Sequence, residues 1–137
     1  MLTTAPVILV AEDDPSVRAL LLEVLVEEGY TVESARDAAG VWARLQGEDI
    51  GLLLIDVLMP GEDGLTIIQQ VVDARPSVPI VAMSASDGHL AEALAVGADA
   101  TLAKPFGLDD LLAVVASYCR RDVADPPLGE SPRLGLS

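Results

Sequence analysis

The chain has 137 residues, room for one domain with a respectable core and hardly for two. Apolar residues make up 51% of it and aromatics only 3%, which points to a core of Leu, Val, Ile and Ala, as in helices packed on a parallel sheet. A formal net charge of −14 argues against direct nucleic-acid binding and favours cations and basic partners, while one Cys and one His exclude an internal disulfide and an ordinary zinc site.

No basic stretch followed by an apolar one opens the sequence, and no run approaches the roughly 20 apolar residues of a membrane span, so a cytoplasmic protein without a membrane segment is expected. Val7 to Ala11 reads as a short buried strand. Asp14 then offers an N-cap and Pro15 a first helical residue, for a helix from about Pro15 to Glu28 that stops at Gly29. Its apolar residues Val17, Leu20, Leu21, Val24 and Leu25 recur at helical spacing. A second strand is expected over Tyr30 to Ser34 and a second helix from Asp37 to about Gln46, with Val41, Trp42 and Leu45 turned inward.

Ile50 to Asp56 is an almost unbroken apolar run ending in a carboxylate and then in Pro60 and Gly61, the pattern of a strand buried on both faces. Asp63-Gly64 opens a third helix to about Arg75. A fourth strand over Pro79 to Ser84, a helix over Asp87 to Val96, a weak fifth strand over Ala100 to Ala103 and a last helix from Leu108 to about Arg121 complete the alternation. The expected fold is α/β, a doubly wound (βα)5 unit with a five-stranded parallel sheet covered by helices on both faces. The domain spans 6–121, and 122–137, rich in Pro and Gly, reads as a flexible tail.

In a parallel sheet the strands' carboxyl ends share one edge, where ligands bind. Glu12 and Asp13 follow the first strand, Asp56 ends the third, Ser84 ends the fourth and Lys104 follows the fifth. Taken singly, each is more often a helix start, a turn residue, a loop hydroxyl or a surface charge. Their conjunction at four strand ends is what carries the reading. Three neighbouring carboxylates repel one another, and a hard divalent cation such as Mg²⁺ relieves that; a hydroxyl and an ammonium suit the oxygens of a phosphoryl group on Asp56.

Four motifs in order make the chain similar to the receiver domains of bacterial two-component response regulators, over about residues 6 to 121. They are Val-Ala-Glu-Asp-Asp-Pro, Ile-Asp-Val-Leu-Met-Pro-Gly-Glu-Asp-Gly, Met-Ser-Ala and Ala-Lys-Pro-Phe. The resemblance implies a flavodoxin-like fold with its five parallel strands in the order 2-1-3-4-5, and that Asp56 accepts phosphoryl from a sensor histidine kinase or a histidine phosphotransfer protein. It implies Mg²⁺ on Asp13, Asp56 and the backbone carbonyl of Leu58, with Glu12 acting through water. Ser84 and Lys104 would hold phosphoryl oxygens, and a cis Lys104-Pro105 peptide would aim the lysine. The domain would not be an enzyme in the ordinary sense, though it would assist its own phosphotransfer and autodephosphorylation.

Two positions depart from the family's pattern. Glu12 stands where Asp is usual, and Thr101 stands where a Tyr or Phe commonly turns inward with the moving hydroxyl, Ser84. Thr101 would change little surface on rotation, so a signal is expected through backbone shifts around Ser84 to Gly88. Leu58 and Ser86 would flank the phosphoryl group, and Leu58 cannot orient a water through its side chain. The resemblance puts the output face at Gly88 to Arg121, towards an unknown downstream protein. The fourth helix lacks the basic residues of a charge-paired dimer, so a monomer or weak dimer is expected. His89 on an exposed helix start, Cys119 and Trp42 are expected to have no part in the site.

Other readings fit less well. A phosphatase of haloacid-dehalogenase type would need a second Asp where Leu58 stands, and a flavin phosphate would be repelled by Glu12, Asp13 and Asp14. The remaining alternative is a receiver-like module that binds proteins without being phosphorylated.

Overall fold

The computed structural model describes residues 6–47, 49–59 and 62–119. Its elements in chain order are β1 (Val7–Ala11), α1 (Pro15–Glu27), β2 (Thr31–Ala35), α2 (Ala38–Gly47), β3 (Ile50–Asp56), β4 (Leu58–Met59), β5 (Glu62–Asp63), α3 (Gly64–Ala74), β6 (Ile80–Ser84), α4 (Asp87–Ala95), β7 (Ala100–Ala103) and α5 (Leu108–Tyr118). β4 and β5 form a small antiparallel hairpin. The other five strands make one sheet in the order β2-β1-β3-β6-β7, paired in parallel throughout. Counted among themselves they lie 2-1-3-4-5, the flavodoxin-like doubly wound order expected for the family the motifs resemble.

Each central strand is buried on both faces, and the two-residue period of a strand divides the core in two. Leu9, Leu53, Ile55 and Ala82 pack against Val41 and Leu45 of α2, Ile67, Ile68 and Val71 of α3, and Ala93 of α4. Ile8, Val10, Leu52, Leu54, Val81 and Met83 face the other way, onto Leu21 and Leu25 of α1 and Leu111 and Val115 of α5. This two-sided cover explains why β3 carries no polar residue before Asp56.

Helix ends follow local chemistry. The Asp14 carboxylate accepts from the amides of Ser16 and Val17, and Pro15 opens α1. α2 starts one residue later than expected because Asp37 stays outside it, its carboxylate accepting from the Gly40 amide at 2.8 Å. Gly29 and Gly97, at φ +96° and +120°, leave their helices in the left-handed conformation that favours glycine.

Three expectations on packing change. Leu20 is 49% exposed, because Leu21 and Leu25 occupy the buried stripe of α1. β2 is shifted by one residue, so Tyr30 precedes it and packs against the core beside α1 and α5 rather than opening the strand. His89 is half-buried, with Nδ1 shielded from solvent and without a hydrogen-bond partner. Trp42 is partly buried and Cys119 buried, both packed into the core. Arg120, Arg121 and the expected tail over 122–137 lie outside the described residues.

Candidate functional site

Asp56 reaches the carboxyl edge of the sheet as the last residue of β3, between the ends of β1 and β6. Its backbone is held there: the amide of Val57 donates to Met83 O at 2.9 Å, and the Leu58 amide donates to Asp56 Oδ1 at 3.0 Å. The residue is only 7% exposed, so the charge at its carboxylate needs compensation from nearby groups.

Lys104 supplies it. The backbone of Lys104 is tied to the end of β6 by a bond from its amide to Ser84 O, and the Lys104-Pro105 peptide is cis. From there Nζ donates to Asp56 Oδ2 at 3.0 Å and to Glu12 Oε1 at 2.8 Å. One ammonium therefore bridges two carboxylates that come from different strands. Glu12 is 1% exposed. Burial pushes its carboxyl above the ordinary range, the Lys104 bond opposes this, and the charge of Asp56 adds to it; the balance stays upward. Burial pulls Lys104 down, but its bonds to Glu12 and Asp56 outweigh that and leave its pKa raised.

Glu12, Asp13 and Asp56 each offer an oxygen, and these atoms all lie within 4.8 Å of one another. A donor set of carboxylates alone fits a hard divalent cation and not a soft one. The loop that carries two of the three is held from behind by Arg18 of α1, whose Nη1 donates to Glu12 O at 2.8 Å and to Asp13 O at 3.3 Å. Sequence reasoning missed this arginine. Its only signal was its place one turn into α1, close enough to reach back over the loop.

Ser84 is buried at the end of β6, and its hydroxyl accepts from the Ser86 amide at 3.1 Å rather than bonding Asp56. Thr101 stands on β7 opposite Ala82, half-buried. The Leu58 side chain is 57% exposed beside the acidic site. Thus Glu12, Asp13, Asp56 and Lys104 meet directly, while Ser84 on β6 and Thr101 on β7 make no hydrogen bond to the Asp56 carboxylate.

The family model for the response regulator receiver domain matches residues 8–116. This chain belongs to that family. The receiver is 36% identical over 133 residues to the transcriptional regulatory protein TcrA of Mycobacterium tuberculosis, covering 94% of this chain and 52% of that protein. The response regulator MprA of Mycolicibacterium vanbaalenii is 35% identical over 132 residues, covering 95% and 57%. The chain spans about half the length of these curated relatives. Among solved structures, a CheY-like receiver domain protein from Methanospirillum hungatei superposes with a TM-score of 0.78 at 28% identity, over 83% of this chain and 93% of the other. The chemotaxis response regulator CheY4 of Vibrio cholerae superposes with a TM-score of 0.77 at 28% identity, over 84% and 99%. The receiver is accordingly a signalling domain of a two-component system, with an acidic group that could bind a metal. No helix among its described residues is long and apolar enough to cross a membrane.

Proposed function

We propose that this receiver takes a phosphoryl group from a phosphohistidine, on a sensor histidine kinase or a histidine phosphotransfer protein, onto Asp56. The observation that carries this reading is the meeting of Asp56 with Lys104 Nζ at 3.0 Å and with the oxygens of Glu12 and Asp13 within 4.8 Å. An Asp56 carboxylate oxygen forms the new bond to phosphorus while the phosphorus–nitrogen bond breaks, its electron pair returning to the imidazole. Asp13, Asp56 and the Leu58 carbonyl, with Glu12 through water, would hold Mg²⁺, which would supply positive charge for the carboxylates and the phosphoryl oxygens.

Lys104 keeps its place beside Asp56 and exchanges a carboxylate oxygen for a phosphoryl oxygen. Ser84 releases the Ser86 amide and turns its hydroxyl inward to another. New charge and new acceptors thereby favour a second arrangement of the segment from Ser84 to Gly88, which is the signal. With Thr101 at the place of the usual aromatic switch, the shift is carried by backbone. The domain proposed to do this spans 6–121, works in the cytoplasm as a monomer or weak dimer, and addresses its downstream protein through Gly88 to Arg121.

Incubation with acetyl phosphate and Mg²⁺, followed by intact mass, tests this on the wild type and on Asp56→Asn. One phosphoryl group gained by the wild type alone, and lost with chelator, is the expected result. No gain in either protein overturns it in favour of a module that binds proteins without phosphorylation.

A further inference from the structure

A cavity lies outside the acidic site. A groove of about 730 Å³ opens beside α1, β2 and α2, lined by Arg18, Arg36 and Arg44 together with Ser34, Asp37 and Gly40. That volume is within the range of small-molecule sites. The groove sits at the carboxyl end of β2, one strand from the acidic loop: Ala35 is in register with Ala11, and its carbonyl accepts from the Glu12 amide at 3.0 Å.

Four arginines occur among the described residues, and three of them line this groove; Arg75, at the end of α3, is the fourth. In a chain of net charge −14 this is a local gathering of positive charge. Two acidic side chains stand at the groove. Asp37 accepts from the Gly40 amide at 2.8 Å, and Glu33 pairs with Arg44 at 3.2 Å. Arg18 uses Nη1 for the carbonyls of Glu12 and Asp13. Arg36 is exposed and makes no hydrogen bond or ion pair among the described residues.

No aromatic side chain lines the groove, so it offers no stacking platform for a base. It offers guanidinium forks, whose geometry suits phosphate oxygens. We propose that this groove binds a small molecule bearing a di- or triphosphate group, with Arg36 and Arg18 on the phosphate oxygens. Because Arg18 also holds the Glu12 and Asp13 carbonyls, the bound anion is felt in the acidic loop. The site does not depend on phosphorylation of Asp56, and its failure would leave that reading untouched.

Pyrophosphate titrated into the full chain in metal-free buffer tests it, followed by calorimetry and by amide chemical shifts. Arg36→Ala removes an exposed groove charge, and Arg75→Ala removes one elsewhere. Saturable one-to-one binding is expected, about tenfold weaker in Arg36→Ala, as loss of one charge-assisted contact implies, and little changed in Arg75→Ala. The largest shifts are expected at the amides of Arg36 to Gly40 and of Glu12 to Asp14. Absence of saturation, equal weakening by both substitutions, or shifts centred elsewhere would overturn the proposal.

Discussion

Lys104 Nζ lies 2.8 Å from Glu12 Oε1, closer than to the Asp56 carboxylate at 3.0 Å. The ammonium thus acts as counter-charge to a nearly inaccessible glutamate as well as to Asp56, and a divalent cation at the same carboxylates would compete with it electrostatically.

Lys104→Met should therefore bind Mg²⁺ several-fold more tightly than the wild type, as measured by calorimetry. In chelator the same variant should lose about 1–3 kcal/mol of stability, because buried carboxylates are left without their donor. Urea denaturation with Mg²⁺ should recover much of that loss. An equal loss in both buffers would mean that the lysine stabilises the fold for another reason.

Removing the Glu12 charge gives a pH signature. The folded Glu12 carboxyl is raised above its ordinary value of 4.5, so between the two values the folded state holds more protons than the unfolded state. This group's contribution to stability accordingly falls as pH rises through that window. Glu12→Gln lacks the titration. In chelator, the wild type should lose stability relative to Glu12→Gln as the pH is raised from below 4.5, and the difference should level off once the folded carboxyl is ionised. A difference that is constant with pH, read from urea midpoints, would contradict this.

Leu58 projects an exposed apolar side chain beside Asp56, the proposed acceptor, with no group to orient an attacking water. Leu58→Asn should hydrolyse a phosphoryl group on Asp56 several-fold faster, followed as loss of the phosphorylated mass after donor removal. An unchanged rate would remove the basis for assigning Leu58 this effect.

Gly64 and Gly47 should respond oppositely to alanine. A Cβ on Gly64 would stand 2.3 Å from the carbonyl oxygen of Val57, the residue next to Asp56, and backbone cannot easily yield. Gly64→Ala should cost about 2–3 kcal/mol. At Gly47, the last residue of α2, a Cβ meets nothing within 4 Å, so Gly47→Ala should stabilise by about 0.5–1 kcal/mol. Urea denaturation of both variants checks the pair.

The alternation of short apolar runs with helical periods was enough to determine the fold class and to put Glu12, Asp13, Asp56, Ser84 and Lys104 on one edge, while the strand order came with the resemblance to receiver domains. The reason is that strand burial on both faces and right-handed crossovers leave few other arrangements for such a pattern. Asp14 and Pro15 likewise announced the start of α1, since a cap depends only on adjacent residues. The β4–β5 hairpin escaped notice because two-residue strands carry no period. That Lys104 would bridge both Glu12 and Asp56, where the Ser84 hydroxyl would rest, and which way Leu20 and His89 would face were decided by tertiary structure alone. So was the reach of Arg18 to the acidic loop and the gathering of three arginines around one groove. These depend on distances between side chains of separate elements, and such distances exist only once the sheet and its two helical layers have packed.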